Sequence, residues 1–444
     1  MPHPALLPAD PDPTAQELVA ARPHLSLHAM DGLVMEDVPL NAIADALGTP
    51  TWVLSAGALR TRLRTLREAF DQAGVPVGIH YAVKANDHLA VLRLMRQEGA
   101  GADVVSGGEV LRAVEAGMDP ARIVFAGVGK TGWEMRLALE HGVGQFNVES
   151  AEELSALSAV ASGMGRVARV ALRVNPDVDA GTHAKITTGR ADNKFGIAFA
   201  EAPALYAHAG ALPGIQPVGV SVHIGSQIMA TAPYRAAFAR MAELVRALRA
   251  GGQHVETVDC GGGLGIAYRN EPPASPHAFA GAIRVAFGGM GLHVAIEPGR
   301  WLVGPAGVLL ASVVLQKRTG ARRFVVLDAA MNDLVRPSMY DAWHGAVPVS
   351  AVDAVRATSP ADLVGPVCET GDTFARGRAL PDFQPNARLA LLDAGAYGSV
   401  MSSTYNARPL AAQALVDGSR WAPIRDRQPL QALWAGERIP DWIG

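Results

Sequence analysis

Cysteine and lysine are both scarce in this sequence. The two cysteines, Cys260 and Cys368, lie far apart and form no spacing pattern, which argues against a disulfide framework and a zinc site and favours a reducing compartment. Only five of the 39 basic residues are lysines, so arginine carries nearly all of the positive charge. A lysine retained in an apolar setting is therefore a candidate for amine chemistry.

Features of several other protein classes are also missing. A net charge of -3 offers no basic surface for nucleic acid, and no apolar run approaches the ~20 residues that a membrane span needs. Residues 1–23 lack the pattern of a signal peptide, and no His-Glu-x-x-His motif supports a catalytic metal. We expect a cytoplasmic protein without metal, nucleic-acid or membrane partners that acts on small molecules.

From residue 78 onward, short β-branched runs alternate with helical patterns. The eight candidate strands are residues 78–85, 102–106, 122–126, 145–149, 169–175, 217–224, 256–260 and 292–297. Eight such units predict an α/β fold, a TIM (β/α)8 barrel, with a doubly wound sheet as the alternative.

The pattern changes after Arg300. Strand-like runs at 308–314, 323–327 and 388–392 are separated by turn-rich loops, which predicts a mainly antiparallel β-sandwich or barrel domain. The sequence thus predicts four segments. Residues 1–30 form a loose N-terminal tail, and residues 31–54 pair with the C-terminal β domain. Residues 55–300 form the barrel, and residues 301–444 form the β domain.

Lys84 stands in the run His80-Tyr81-Ala82-Val83-Lys84-Ala85-Asn86, which otherwise reads as a buried strand. Burial lowers the pKa of an ammonium group, and the neutral amine attacks aldehydes to form a Schiff base. The alternative is a lysine at a strand end whose amine reaches solvent.

Other polar residues fall where predicted barrel strands end, which is where barrel enzymes carry their active sites. These residues are Asp103, Ser106, Asn175, His223 and Glu297. The glycine-rich stretch 261–265 follows strand seven and Glu297-Pro298-Gly299-Arg300 follows strand eight, the usual phosphate-binding loops of this fold. Together with Lys84, they predict a pyridoxal phosphate site.

Five motifs then carry a family resemblance. They are Tyr81-Ala82-Val83-Lys84-Ala85-Asn86, His223-Ile224-Gly225-Ser226-Gln227, Gly261-Gly262-Gly263, Glu297-Pro298-Gly299-Arg300 and Cys368-Glu369-x-Gly371-Asp372. From about Leu33 to the C-terminus the chain resembles the fold-type III pyridoxal phosphate decarboxylases. The resemblance implies that Lys84 holds the cofactor, that Glu297 pairs with its pyridine nitrogen and that His223 lies against its ring. The remaining implied cofactor contacts are Asp103, Ser226, Gly261, Gly262, Gly263, Gly299, Arg300 and Tyr397.

The same resemblance implies a substrate and an assembly. Arg300, Arg336, Tyr340, Glu369 and Tyr397 would bind the substrate, and Cys368 would return a proton to it from the partner subunit of a homodimer with shared active sites. The segment Arg336 to Tyr340 and the glutamate at 369 imply decarboxylation of meso-2,6-diaminopimelate to L-lysine, the last step of bacterial lysine synthesis. Cys260, inside a predicted strand, is interpreted as a small core residue.

Alternatives remain at this stage. A related decarboxylase of ornithine, arginine, lysine or a carboxy-polyamine shares most of these motifs. Asp87-His88-Leu89 after Asn86 disfavours an alanine-racemase-like enzyme, and the retention of Lys84 and Cys368 disfavours a non-catalytic regulatory protein. The polar segment 176–194, with Ala184-Lys185 after His183, is predicted to close over the site as a lid.

Overall fold

The structure is a computed structural model that describes residues 12–179, 188 and 194–444. The chain divides into two compact units. The first comprises Met1–Ala58, Ala267–Glu271 and Pro305–Gly444, and the second comprises Leu59–Ile266 and Pro272–Gly304. We call them the β unit and the barrel unit.

The first elements are α1 (Ala15–Ala20), β1 (Leu25–His28), β2 (Gly32–Met35), β3 (Val38–Pro39), α2 (Leu40–Leu47) and β4 (Thr51–Ser55). Strands β1, β2 and β3 form an antiparallel sheet.

The expectation of a loose tail over residues 1–30 is wrong for the stretch that forms α1 and β1. Thr14 and Glu17 make a reciprocal capping box that satisfies the first amides of α1. Leu18 is buried in the core of the β unit. Arg22 is buried as well, where its Nε donates to Oδ1 of Asp393 at 2.9 Å. Burial of apolar and paired charged groups therefore orders this segment.

Eight parallel strands close the barrel unit. They are β5 (Val77–Ala82), β6 (Gly101–Val104), β7 (Ile123–Phe125), β8 (Gln145–Val148), β9 (Ala168–Asn175), β11 (Ile215–Ser221), β12 (Thr257–Asp259) and β13 (His293–Ile296), with a short β10 (Ile197–Ala198) beside β9. β13 pairs with β5, which closes the sheet. The predicted TIM barrel is confirmed, and the doubly wound alternative is wrong because such a sheet has open edges.

The helices of this part of the chain are α3 (Ala56–Ala73), α4 (Leu89–Gln97), α5 (Gly107–Glu115), α6 (Gly132–His141), α7 (Ala151–Gly163), α8 (Ala202–Ala211), α9 (Ala232–Ala250), α10 (Pro276–Phe287) and α11 (Arg300–Val303). α9 shows why they pack as they do. Its apolar residues recur at helical spacing and are buried, and the ring of Tyr234 lies 5.7 Å from Phe238 and 4.7 Å from Phe279 of α10. None of the helices in the described ranges is long and apolar enough to cross a membrane.

The remaining elements belong to the β unit. They are β14 (Gly307–Thr319), β15 (Arg322–Leu327), α12 (Arg336–Tyr340), β16 (Ala346–Pro348), α13 (Ala351–Ala354), β17 (Thr358–Val364), β18 (Thr373–Pro381), β19 (Arg388–Leu391), β20 (Ala412–Asp417) and β21 (Arg420–Arg425). The main sheet has the order β18-β17-β15-β14-β4-β20-β21, and β19 joins β14 to β16. Most pairs are antiparallel, as predicted, and β4 is a central strand between β14 and β20.

Candidate active site

Lys84 lies just beyond the first barrel strand. The strand ends at Ala82, and the chain then turns through a 3₁₀ segment, Val83–Ala85. The prediction that Lys84 lies within the strand is therefore wrong, because Lys84 lies in this turn. Tyr81 fixes this turn, because its hydroxyl donates to the carbonyl of Asn86 at 2.9 Å. The side chain of Lys84 is 36% exposed, so its amine is available at the rim of the barrel.

The amine of Lys84 pairs with a buried acid. Its Nζ lies 2.7 Å from Oδ2 of Asp103, whose side chain is fully buried on β6. Burial raises the pKa of Asp103, and the nearby ammonium of Lys84 opposes that rise. The carboxyl of Asp103 thus holds the lysine in place.

A pair of carboxyl groups, Glu297 and Asp259, lies near this ion pair. Glu297 follows β13 and Asp259 ends β12, and both are buried. Burial, reinforced by the negative charges of Asp103 and Asp259, raises the pKa of Glu297 well above its usual range. The amide of Asn147 donates to Asp259 at 3.0 Å and to Glu297 at 3.2 Å. This environment favours the protonated form of Glu297, whose carboxyl shares the Asn147 amide with Asp259.

His223 stands two residues beyond the end of β11 rather than at the strand end itself. Its Nδ1 accepts a hydrogen bond from the Gly262 amide at 3.2 Å, which places the ring proton on Nε2. Burial, with the positive charges of Arg173 and Lys84, lowers the pKa of His223 well below its usual value. The ring is thus neutral.

The glycines after β12 are required by close backbone approach. A Cβ on Gly261, Gly262 or Gly263 would lie 2.3, 2.1 or 2.3 Å from the carbonyl oxygens of Val222, Glu297 and Gly225, respectively. Gly261 and Gly263 also have positive φ, which side chains disfavour. A side chain at any of these three positions would collide with neighbouring backbone, so the loop requires glycine.

Two residues predicted at the phosphate end contact each other. Nη2 of Arg300 donates to Oγ of Ser226 at 3.0 Å, and Arg300 is buried. Arg300 begins α11 directly after Gly299. The loops after β11 and β13 are joined by this contact.

A cavity of about 460 Å³ opens between these groups. It is lined by Lys84, Asn147, Arg173, Ser221, His223 and Glu297, among others. Oγ of Ser221 and Oδ1 of Asp103 are buried and have no hydrogen-bond partner among the described residues. An amine, a carboxyl with a raised pKa, a neutral imidazole and the unsatisfied Ser221 hydroxyl around a cavity of ligand size fit pyridoxal phosphate.

The other predicted site residues belong to the β unit. Arg336 is buried in α12, where its Nη1 lies 2.8 Å from Nε2 of His344 and its guanidinium lies 5.0 Å from the ring of Tyr268. A guanidinium can only donate, so Nε2 of His344 accepts and its Nδ1 donates to the Leu392 carbonyl at 2.8 Å. Tyr340 ends the same helix and is half-buried.

Cys368 and Glu369 are exposed on a loop of the β unit. Asp372 stabilises this loop, because its carboxylate accepts hydrogen bonds from the amides of Met331 and Val367, each at 2.7 Å. Tyr405 donates a hydrogen bond from its hydroxyl to Oε1 of Glu369.

Tyr397 is also part of the β unit and is half-buried. Its φ of 54° lies in the left-handed region that side chains disfavour. Such strain is characteristic of functional loops.

Several groups at these positions escaped the sequence analysis. Asp259 ends a barrel strand, which is the signal that could have identified it, but it stands directly before Cys260 and the glycine-rich stretch, which form the more distinctive pattern. No recognisable sequence motif includes the other four residues, Asn147, Arg173, Ser221 and Tyr405. Cys260 is buried, as interpreted, and burial raises the pKa of its thiol.

The predicted lid lies largely outside the described residues, which omit 180–187 and 189–193 and therefore His183, Ala184 and Lys185. The described Thr188 donates from its hydroxyl to the carbonyl of His223 at 2.9 Å.

A closed (β/α)8 barrel with a lysine, a buried carboxyl pair and a glycine loop on one rim defines a pyridoxal phosphate-dependent barrel protein. The chain belongs to the pyridoxal-dependent decarboxylases: the family model described as "Pyridoxal-dependent decarboxylase, pyridoxal binding domain" matches residues 56–304. The predicted family and cofactor are thereby confirmed.

Individual relatives agree with this assignment. The chain is 48% identical to a diaminopimelate decarboxylase of Zymomonas mobilis, over 93% of this chain and 98% of that protein. A diaminopimelate decarboxylase of Pseudomonas aeruginosa is 47% identical over 92% and 97%, respectively. The crystal structure of the Helicobacter pylori diaminopimelate decarboxylase complexed with L-lysine matches with a TM-score of 0.86 and 37% identity, over 89% of this chain and 98% of the other.

Proposed function

We propose that this chain decarboxylates meso-2,6-diaminopimelate to L-lysine and carbon dioxide, as the last step of bacterial lysine biosynthesis. The observation that carries the chemistry is the rim of the barrel, where Lys84 and Glu297, the acid whose pKa burial raises, line the same cavity. Relatives named as diaminopimelate decarboxylases, similar over almost their whole length, support this substrate.

We assign the residues of the barrel unit separate roles in binding the cofactor. Pyridoxal phosphate supplies an aldehyde and a ring that accepts the electron pair released when carbon dioxide leaves. Lys84 presents the amine that binds the aldehyde, and Asp103 positions it. Glu297 holds a proton for the pyridine nitrogen, with Asp259 behind it. The neutral His223 faces the cavity as a flat apolar surface for the ring. Gly261 to Gly263, Gly299, Ser226 and Arg300 bind the phosphate.

Substrate recognition falls to arginines and to the β unit. Arg300 and Arg336 bind substrate carboxylates, since a guanidinium offers a planar pair of donors. Tyr340 and Tyr397 add hydroxyl groups, and Glu369 binds the distal ammonium. Cys368 returns a proton to the substrate carbon, for which its exposed thiol is accessible.

We further propose a homodimer in the cytoplasm with active sites shared between subunits. The functional division follows residues 55–300 as the cofactor-binding barrel and residues 301–444, with 31–54, as the β domain. The exposed Cys368 and the buried Cys260, both free thiols, suit a reducing compartment.

The substrate is tested by carbon dioxide release from the purified enzyme with pyridoxal phosphate. We expect activity on meso-diaminopimelate at least about tenfold higher in kcat/KM than on lysine, ornithine or arginine, because a wrong substrate leaves buried polar groups unpaired. Lys84→Ala is the inactive control. A preference for ornithine or arginine would contradict the proposal.

Shared sites are tested by mixing two inactive variants, Lys84→Ala and Cys368→Ala. If each site uses both subunits, a mixed dimer has one intact site of two, so purified mixed dimers regain up to about half of the wild-type activity per chain and a random mixture up to about a quarter. Differently tagged chains purified in tandem establish that mixing occurred. No recovery in such dimers would refute shared sites.

A further inference from the structure

A second cavity, of about 410 Å³, lies within the β unit and is called the arginine pocket here. Arg269 and Arg378 both lie against the indole ring of Trp343, with guanidinium carbons 5.4 and 4.3 Å from the ring centroid. The pocket is also lined by Ser338 and Thr373. Two cations on an aromatic wall are an arrangement that recognises an anion.

Asp12 already places a carboxylate between these arginines. Its Oδ1 accepts a hydrogen bond from Nη2 of Arg269, and its Oδ2 lies 2.9 Å from Nε of Arg378 in an ion pair. Each carboxylate oxygen therefore meets a different guanidinium. Asp12 shows directly which chemical group the arginines accept.

Arg378 is built into the unit rather than lying on its surface. Its side chain is 7% exposed and its Nη1 donates to the carbonyl of His344 at 2.9 Å. Burial lowers the pKa of this guanidinium, and Asp12 opposes that effect. Nε of Arg269 is buried and has no hydrogen-bond partner among the described residues. Without an anion, the buried Arg378 and the partly buried Arg269 would lie close together uncompensated.

The pocket is much larger than the single carboxylate that Asp12 supplies. Its volume lies in the range of sites for small molecules. Its other charged lining groups are Arg376 and Asp341, so the arginines outnumber the acids. The hydroxyl of Ser338 donates to the Gly371 carbonyl at 2.6 Å, which fixes two sides of the pocket to each other.

We propose that the arginine pocket is a binding site for a small molecule bearing a carboxylate, and that Asp12 occupies it as an intramolecular competitor. A free carboxylate takes the place of the Asp12 side chain on Arg269 and Arg378, and the rest of the ligand fills the space beside Trp343. This site is separate from the cofactor chemistry, so its test does not depend on the proposed substrate.

The test is chemical rescue of Asp12→Ala in the full-length holoenzyme, followed by thermal unfolding. We expect a lower Tm than wild type, since the arginines lose their counter-ion. Sodium acetate or succinate should then raise the Tm of the variant by about 2 °C or more beyond any rise in wild type. Sodium chloride at equal ionic strength should not. Should Asp12→Ala fail to fold, Asp12→Asn retains the shape and loses the charge.

Two variants separate the pocket from general effects of salt. Asp12→Ala combined with Arg378→Gln should show no rescue, because the acceptor of the carboxylate is gone. Asp417→Ala breaks an exposed ion pair with Arg420 in the same unit and should show none either. A carboxylate effect of equal size in either variant, or no carboxylate effect in Asp12→Ala, would overturn the proposal.

Calorimetric titration with succinate measures the competition. We expect the dissociation constant to be at least about tenfold lower for Asp12→Ala than for wild type, since a tethered side chain has an effective concentration of millimolar order. Equal affinities would refute the role of Asp12 as competitor. Tighter binding of inorganic phosphate than of succinate would overturn the assignment to carboxylates.

Discussion

Lys84 and Asp103 form an ion pair, 2.7 Å between Nζ and Oδ2, in which the lysine is 36% exposed and the acid is fully buried. The acid reaches the rim from β6, the strand next to the one that leads into Lys84. The amine is therefore held by a neighbouring strand and does not depend on its own flexible stem for position. This arrangement allows a lysine to present its nitrogen reproducibly to a ligand in the cavity.

Replacing Lys84 by alanine should abolish decarboxylation and the covalent attachment of the cofactor. Borohydride reduction followed by mass spectrometry should show the added cofactor mass on wild type and not on Lys84→Ala. Lys317→Ala, which alters a lysine of the β unit, should retain both properties. If borohydride reduction attached the cofactor to a different lysine in Lys84→Ala, the assignment would be contradicted.

Glu297→Gln should lower kcat on the order of 10²-fold or more, because a glutamine amide can donate a hydrogen bond but cannot transfer a proton to the pyridine nitrogen. Retained cofactor binding, measured by absorbance, would show that the loss is chemical. Glu201→Gln, at an exposed acid of the barrel unit, is the matched control and should leave kcat unchanged. A small effect at Glu297 would mean that its proton is not used.

Tyr405→Phe should raise KM for diaminopimelate by about two- to tenfold and leave kcat nearly unchanged, because the Tyr405 hydroxyl orients Glu369 by a hydrogen bond. The same contact raises the pKa of Tyr405, which keeps the hydroxyl protonated as a donor. Steady-state kinetics measure the split between KM and kcat. An unchanged KM would leave Tyr405 without a role in orienting Glu369.

Asp333 should make stability depend on pH. Burial raises its pKa to about 6 from 3.8, so the folded state favours the protonated acid. Its contribution to stability is full below about pH 3.8 and is lost as pH rises through about 6, by roughly 3 kcal/mol at most. Asp333→Asn keeps an acceptor for the Ala330 amide, which now meets Oδ2 at 3.0 Å, and removes this dependence.

Thermal unfolding of both proteins at a series of pH values measures the effect. The Tm of wild type relative to Asp333→Asn should fall across that window. Asp45→Asn, at an acid that is 68% exposed, should show no such trend. Parallel curves for wild type and Asp333→Asn would disprove the assignment.

Much of the barrel was predictable because its signals are local. Each strand is a short β-branched run, and each of the eight appears in the structure within a few residues of its predicted bounds. Lys84, His223 and Glu297 could be placed on one rim because parallel strands in a barrel end at the same face. The β unit was harder, since β17 and β18 expose much of their length and their polar residues conceal the strand pattern.

The local sequence also could not predict that the N-terminal segment around Arg22 is ordered. Arg22 and Asp393 are far apart in sequence, and each is polar and unremarkable where it stands. Their burial against each other is a property of the folded β unit alone. The same holds for Asp12 with Arg269 and Arg378.

The sequence by itself determined the barrel, the lysine and the glycine loop, because periodicity, residue chemistry and close backbone approach act over a few neighbouring positions. The tertiary structure decided which partners the site residues contact and how their pKa values shift. Only the fold brings Asp103 to Lys84 and brings Asn147 and Asp259 to Glu297, and only burial among such partners raises the pKa of the Glu297 carboxyl. Charge and protonation depend on distance and solvent exclusion, which a linear pattern does not contain.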